Sequence, residues 1–177
     1  RTESIEKAIK NSKSNSEFFI ELGVHEGRSI NQYAEILIKS NREIHGFDSF
    51  EGLREDWRGA TLLANKAFNL EGKLPKVSSN VILHKGWIQE QIPKFIQKYN
   101  LKTLRFLALD LDTYQSTKDA LDLLKPYLVK NSIIMFNEIQ CFAGWQTGEY
   151  KALNETFNSD EYEFVYFARN GACATIR

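Results

Sequence analysis

Four oxygen-bearing side chains at two places in the chain have types and spacing suited to chemistry. Asp110 and Asp112 follow the apolar run Leu104 to Leu109. Asn137 and Glu138 follow the apolar run Ser132 to Phe136. Both runs are short enough to read as buried strands, and the two strands should be neighbours. Polar groups gathered on one rim of a sheet are costly unless hydrated, paired or bound to a cation. An oxygen-only set suits a hard ion such as magnesium rather than zinc. His25, His45 and His84 are scattered and form no transition-metal spacing. On this reading Asp110 and Glu138 are ligands with Asn137 as the third, and Asp112 is a general base or an orienting group. The competing reading is a set of turn and capping residues.

A second group lies near the start of the chain, in Phe18-Phe19-Ile20-Glu21-Leu22-Gly23-Val24-His25-Glu26-Gly27-Arg28-Ser29. It reads as a buried strand, a glycine turn and a helix start. Gly23 and Gly27 allow positive φ and close backbone approach, and Ser29 is a candidate helix cap. Such a turn is where open α/β sheets bind nucleotide-like ligands. The backbone here would cradle a cofactor's amino-acid end, with Glu21 near its ammonium. Asp48 closes the second strand, where nucleotide folds place an acid on the ribose hydroxyls. Gly86-Trp87 follows the third strand, and its indole offers a flat apolar face to an adenine. The plain alternatives are an ordinary strand-to-helix turn, a turn-forming Asp and a core tryptophan. His45 and His84 read as structural, and His25 as a solvated turn residue.

The elements that must position these groups follow from the pattern. A helix is expected over Thr2 to Lys13 and another from about Ile30 to Ser40. Strands are expected over Phe18 to Leu22, Glu43 to Phe47, Val81 to His84, Leu104 to Leu109 and Ser132 to Phe136. Helices are expected over Gln89 to Tyr99, from a cap at Ser116 to just before Pro126, and over Glu149 to Phe157. Arg54 to Val77 has weak periodicity and reads as a functional loop with a short helical piece, a candidate lid. Glu163 to Ala168 and Ala172 to Ile176 flank Arg169-Asn170-Gly171, a hairpin signal. Tyr114 is expected to overhang the pocket, and Phe142 and Trp145 to wall it or join the core. Alternation of β and α implies a mostly parallel sheet with helices on both faces, closed by an antiparallel hairpin.

The chain has 177 residues, with 23 basic and 23 acidic side chains. That length supports one domain over residues 1–177. The charge balance argues against nucleic acid or an anionic membrane as the main partner, and no apolar run reaches membrane-spanning length. Cys141 and Cys173 show no metal or redox spacing and are expected as two buried thiols, consistent with a cytoplasmic protein. A small-molecule partner is expected, and a homo-oligomer stays open.

The motifs together resemble the macrocin O-methyltransferase-like (TylF-type) family of class I S-adenosylmethionine-dependent methyltransferases. The matching text is Glu21-Leu22-Gly23-Val24, Gly46-Phe47-Asp48-Ser49-Phe50-Glu51-Gly52-Leu53, Asp56-Trp57, Gly86-Trp87 and Leu109-Asp110-Leu111-Asp112-Thr113-Tyr114-Gln115-Ser116-Thr117. It continues through Ile133-Ile134-Met135-Phe136-Asn137-Glu138 to Gly144-Trp145. The resemblance implies a Rossmann-like methyltransferase fold, S-adenosylmethionine as donor, often magnesium, and O-methylation of a sugar-like hydroxyl. It would place Glu21, Gly23 and Ser29 on the methionine part, Asp48 on the ribose, Ser49 and Trp87 near the adenine, and Asp110, Asn137 and Glu138 on the metal. Family members usually carry two acids where this chain has Asn137 and Glu138, so magnesium affinity should be lower here. An NAD-dependent oxidoreductase and a cofactor-binding module without catalysis are the rival readings. The closing hairpin and His25, which stands where a dinucleotide fingerprint has its second glycine, weigh against the first.

Overall fold

Short apolar runs alternate with amphipathic ones, and the computed structural model, which describes residues 1–54 and 68–177, turns that alternation into a layered sheet. The strands are Phe18–Leu22 (β1), Ile44–Asp48 (β2), Val81–Lys85 (β3), Leu104–Leu109 (β4), Leu128–Phe136 (β5), Tyr162–Ala168 (β6) and Gly171–Ile176 (β7). The helices are Thr2–Asn11 (α1), Arg28–Leu37 (α2), Ile88–Tyr99 (α3), Tyr114–Leu124 (α4) and Glu149–Thr156 (α5). One seven-stranded sheet runs in the order β3-β2-β1-β4-β5-β7-β6. β1 to β5 pair in parallel, and β7 lies antiparallel between β5 and β6. The expected α/β fold with a closing hairpin is therefore what the chain forms. Most of the candidate lid, and the Asp56-Trp57 pair, fall in residues 55–67 and lie outside the described residues.

The side-chain period of two sends alternate residues of each strand to opposite faces. Ile20, Leu22, Leu107 and Leu109 join Phe95 of α3, Leu121 of α4 and Leu153 of α5. Phe19, Phe106 and Ala108 join Ile5 of α1 and Ile30 and Ala34 of α2. Glu21 is on the same side as Phe19, which puts its carboxyl on the α2 side of the sheet, beneath Ser29.

Several element boundaries differ from the sequence reading. Gly27, at φ +79°, caps α2, and Ser29 lies buried in the first turn instead of capping it. α4 starts at Tyr114, so Ser116 is already helical and caps nothing. β5 begins at Leu128 rather than Ser132. A register shift lets it start early: Leu104 pairs with Leu128 but Phe106 with Ile133. Cys173 is buried as expected, whereas Cys141 is exposed. No helix among the described residues is long and apolar enough to cross a membrane.

Candidate active site

β1 sits between β2 and β4, and the chain changes direction across the sheet there. In open α/β sheets this is the position of the ligand crevice, outside the carboxyl ends of the strands. A cleft of about 240 Å³ opens at this place. Gly23 after β1, Asp48 and Ser49 at β2, Gly86 and Trp87 after β3, and Asp110 and Asp112 after β4 line it, with Asn137 and Glu138 after β5. Five strand ends thus deliver nine of the residues singled out from sequence to one hollow. Ser29 lines an adjoining hollow of about 370 Å³ at the start of α2, which shares Val24, His25 and Asp110 with the cleft. Gly27 forms the cap beside it. Glu21 is on neither wall: it is 1 % exposed, is hydrogen-bonded by Ser29, and its Oε2 has no partner among the described residues.

Gly23 shows why the turn must be glycine. Its φ is +85°, and a Cβ there would stand 1.9 Å from the Asp110 carbonyl oxygen. The neighbouring backbone is locked to it. Gly23 N–H donates to Phe47 O, and Asp110 N–H donates to Leu22 O, both at 2.9 Å. Asp48 ties the same turn from the other side. Its Oδ2 accepts from the N–H groups of Val24 (2.9 Å) and His25 (2.7 Å), and its Oδ1 accepts from Phe50 N–H (2.7 Å). A carboxylate has about four lone-pair sites, so roughly one is left for a ribose hydroxyl where the sequence reading gave it two. The Trp87 ring is not core. It is partly exposed, with the Arg54 guanidinium 4.1 Å from its centroid.

Burial dominates the electrostatics of the carboxylate rim. It pushes Asp112 up to about 8, with Asp110, Glu138 and Asp48 adding repulsion. Burial also pushes Asp110 up, to about 6, against the opposing pull of Arg1 and the Asn137 hydrogen bond. Glu138 is raised by burial while Asn170 and Arg1 oppose the rise. Burial takes Glu21 to about 8 despite its bond from Ser29. At neutral pH Asp112 and Glu21 therefore hold protons, and Asp110 is mostly charged.

The donor set does not fit magnesium as it stands. Asp110 Oδ1 accepts from Asn137 Nδ2 at 2.7 Å, and Asn137 Oδ1 accepts from Arg1 at 2.5 Å. Glu138 Oε2 accepts from Asn170 Nδ2 at 3.2 Å. Among the described residues no three His, Cys, Asp or Glu are grouped to hold a metal. A nucleoside with a charged amino-acid tail fits better. The tight glycine turn and the start of α2, a helix end that favours an anion, lie along one side of the two hollows, with the buried Glu21 carboxyl behind Ser29.

Other expectations do not reach the cleft. The Tyr114 hydroxyl donates to Glu155 Oε2, and the ring sits under Lys151, so it does not overhang the pocket. Trp145 packs on Tyr150, and neither it nor Phe142 belongs to the core or the cleft wall. His45 and His84 are structural, as expected. Their rings are joined by a 3.0 Å nitrogen–nitrogen hydrogen bond inside an aromatic group with Phe47, Phe95 and Tyr99. His25 lines the cleft with its ring against Phe68. Arg54, Arg1 and Glu149 also reach this region, with nothing in the sequence to mark them for it. Glu149 is fully buried, and its Oε2 accepts from Glu138 N–H at 3.0 Å. An acid in a first helical turn looks the same in sequence whether exposed or buried, so nothing there flagged it.

The fold has counterparts among known proteins. A family model described as a methyltransferase domain matches residues 20–139, so the chain belongs to that methyltransferase family. No curated protein sequence matches it. Three solved proteins share its fold. CalS11, described as a calicheamicin methyltransferase, is 20% identical with a TM-score of 0.79, covering 98% of this chain and 76% of its own. Its apo structure, described as a TDP-rhamnose 3'-O-methyltransferase, is 22% identical with a TM-score of 0.71, covering 98% of this chain and 77% of its own. The O-methyltransferase NovP is 19% identical, with a TM-score of 0.65 and coverage of 99% and 77%. An O-methyltransferase from Bacillus cereus, solved in complex with SAH, is 11% identical, with a TM-score of 0.60 and coverage of 99% and 81%.

Proposed function

We propose that the protein is one methyltransferase domain over residues 1–177 that moves the methyl group of S-adenosylmethionine to a hydroxyl of a small, sugar-like molecule. The observation that carries this reading is the cleft at the β1–β4 switch, where the glycine turn, Trp87 and the carboxylates after β4 line a single hollow. The resemblance to macrocin O-methyltransferase-like proteins, through Phe47-Asp48-Ser49-Phe50-Glu51-Gly52-Leu53 and Asp110-Leu111-Asp112-Thr113-Tyr114, supports the sugar-like acceptor. The description of CalS11 as a TDP-rhamnose 3'-O-methyltransferase supports it as well.

S-adenosylmethionine supplies an electrophilic methyl group on a sulfonium. The chain must hold acceptor and donor in line, and orientation supplies much of the acceleration. In this reading Gly23, Gly27 and Ser29 cradle the methionine end, and Glu21, buried out of reach of the ammonium, accepts from Ser29 and holds it in place. Asp48 fixes the turn and keeps about one lone pair for the ribose, while Ser49, Gly86 and Trp87 border the adenine. Asp112 takes the acceptor proton once ionised, and Asp110 orients the acceptor. None of these steps calls on magnesium, because Asp110 and Asn137 are bonded to each other, Asn137 to Arg1 and Glu138 to Asn170.

The test is a transfer assay with methyl-labelled donor and a panel of nucleotide-linked sugars, free sugars and phenols. Label on a sugar hydroxyl is expected. Label on phenols alone would contradict the acceptor class. Tight donor binding with no labelled product would favour the non-catalytic binding module.

A further inference from the structure

The rim that the resemblance marks for a cation is closed by the chain's own groups. Asn137 stands between a donor and an acceptor. Its Nδ2 donates to Asp110 Oδ1 at 2.7 Å, and its Oδ1 accepts from Arg1 Nη2 at 2.5 Å. The same guanidinium nitrogen lies 3.8 Å from Asp110 Oδ2. The three side chains are thus joined by two hydrogen bonds and one longer ion pair. An amide suits the middle position because it donates on one side and accepts on the other, whereas a carboxylate can only accept. An acid at position 137 would set a like charge against Asp110 and raise the demand for a cation between them. Glu138, the remaining expected ligand, is bonded to Asn170.

We propose that Asn137 and Arg1 together take the place of a divalent cation in this site. The amide bridges to Asp110, and the guanidinium supplies the positive charge. Asn137 is thus a positioning residue that acts through Asp110. This inference concerns ion occupancy, and its test needs neither donor nor acceptor, so it stands or falls apart from the proposed reaction.

The experiment is a manganese titration of the full chain, with free ion read by electron paramagnetic resonance. Wild type, Asn137→Asp and the double variant Asn137→Asp/Asp110→Asn are compared. Wild type is expected to leave the free-ion signal unchanged. Asn137→Asp should bind the ion about tenfold tighter or more, through one added ligand charge, and the double variant should lose that gain. Two results overturn the proposal: stoichiometric manganese binding by wild type, or binding by folded Asn137→Asp no tighter than wild type. If Asn137→Asp fails to fold, the unfolding midpoint of wild type decides. It should be the same in excess magnesium as in chelator, and a rise with magnesium would refute the exchange, because an ion bound to the native state must stabilise it.

Discussion

Asp112 is held in the left-handed region at φ +59°, and burial beside Asp110 and Glu138 lifts its carboxyl to about 8. A base works only without its proton. The ratio kcat/KM should therefore rise with pH up to about 8 and then level. Asp112→Asn should lower the rate by about 10²–10⁴-fold and flatten that limb. A profile unchanged in the variant would remove Asp112 from the proton transfer. At this scale the sequence was legible wherever a polar residue follows an apolar run, which placed Asp48, Asp110, Asp112, Asn137 and Glu138 together. Which partner each group takes was not legible. Asp48 bonds to backbone at Val24 and His25, and Asn137 to Arg1, through contacts that only the folded chain creates.

The turn after β1 carries the closest backbone approach in the site. Gly23→Ala would drive a Cβ into the Asp110 carbonyl oxygen and force β1 and β4 apart at the crevice. Overpacking of this kind costs about 1–3 kcal/mol, and positive φ adds to it. Chemical denaturation should show a loss of that size, together with loss of donor binding. Stability equal to wild type would mean that the two strand ends yield easily. Strands and their order of appearance were readable because runs of four to six apolar residues between turn residues allow little else. Helix starts were less readable. Ser29 and Ser116 have the right chemistry for caps, but Gly27 and Thr113 precede the first helical residues instead. The early start of β5 depends on a register shift that no local pattern announces.

At the scale of the whole molecule, the end of the sheet away from the cleft is pinned by a buried ion pair. Arg105 of β4, 2 % exposed, donates from Nε and Nη2 to Glu17 just before β1, both at 2.9 Å, and from Nη1 to Lys130 O of β5 at 3.1 Å. Burial alone would raise Glu17, but the bonds from Arg105, Ser12 and Lys13 outweigh it and hold the carboxyl below its ordinary value of 4.5. A carboxylate depressed in the fold stabilises above that ordinary value, and the contribution fades as pH falls through the folded one. Glu17→Gln should cost about 3–5 kcal/mol at neutral pH by leaving a buried guanidinium unpaired. The difference from wild type should shrink as the pH is lowered below 4.5. A gap that holds constant into acid would show that the pair's charge is not what matters. Topology was legible here because alternation points to a parallel sheet and Arg169-Asn170-Gly171 marks a closing hairpin, although the turn itself is Arg169-Asn170 and Gly171 already opens β7. Arg105 was not, since it sits inside an apolar run that gives no hint of a buried charge.

If the cleft between the ends of β1 and β4 binds S-adenosylmethionine, the donor and its demethylated product must both bind the isolated protein. Calorimetric titration with S-adenosylmethionine and S-adenosylhomocysteine, using NADH as control, measures this. Saturable binding of both sulfur ligands and none of NADH is expected. No heat from either sulfur ligand, or binding of NADH in their place, would contradict it.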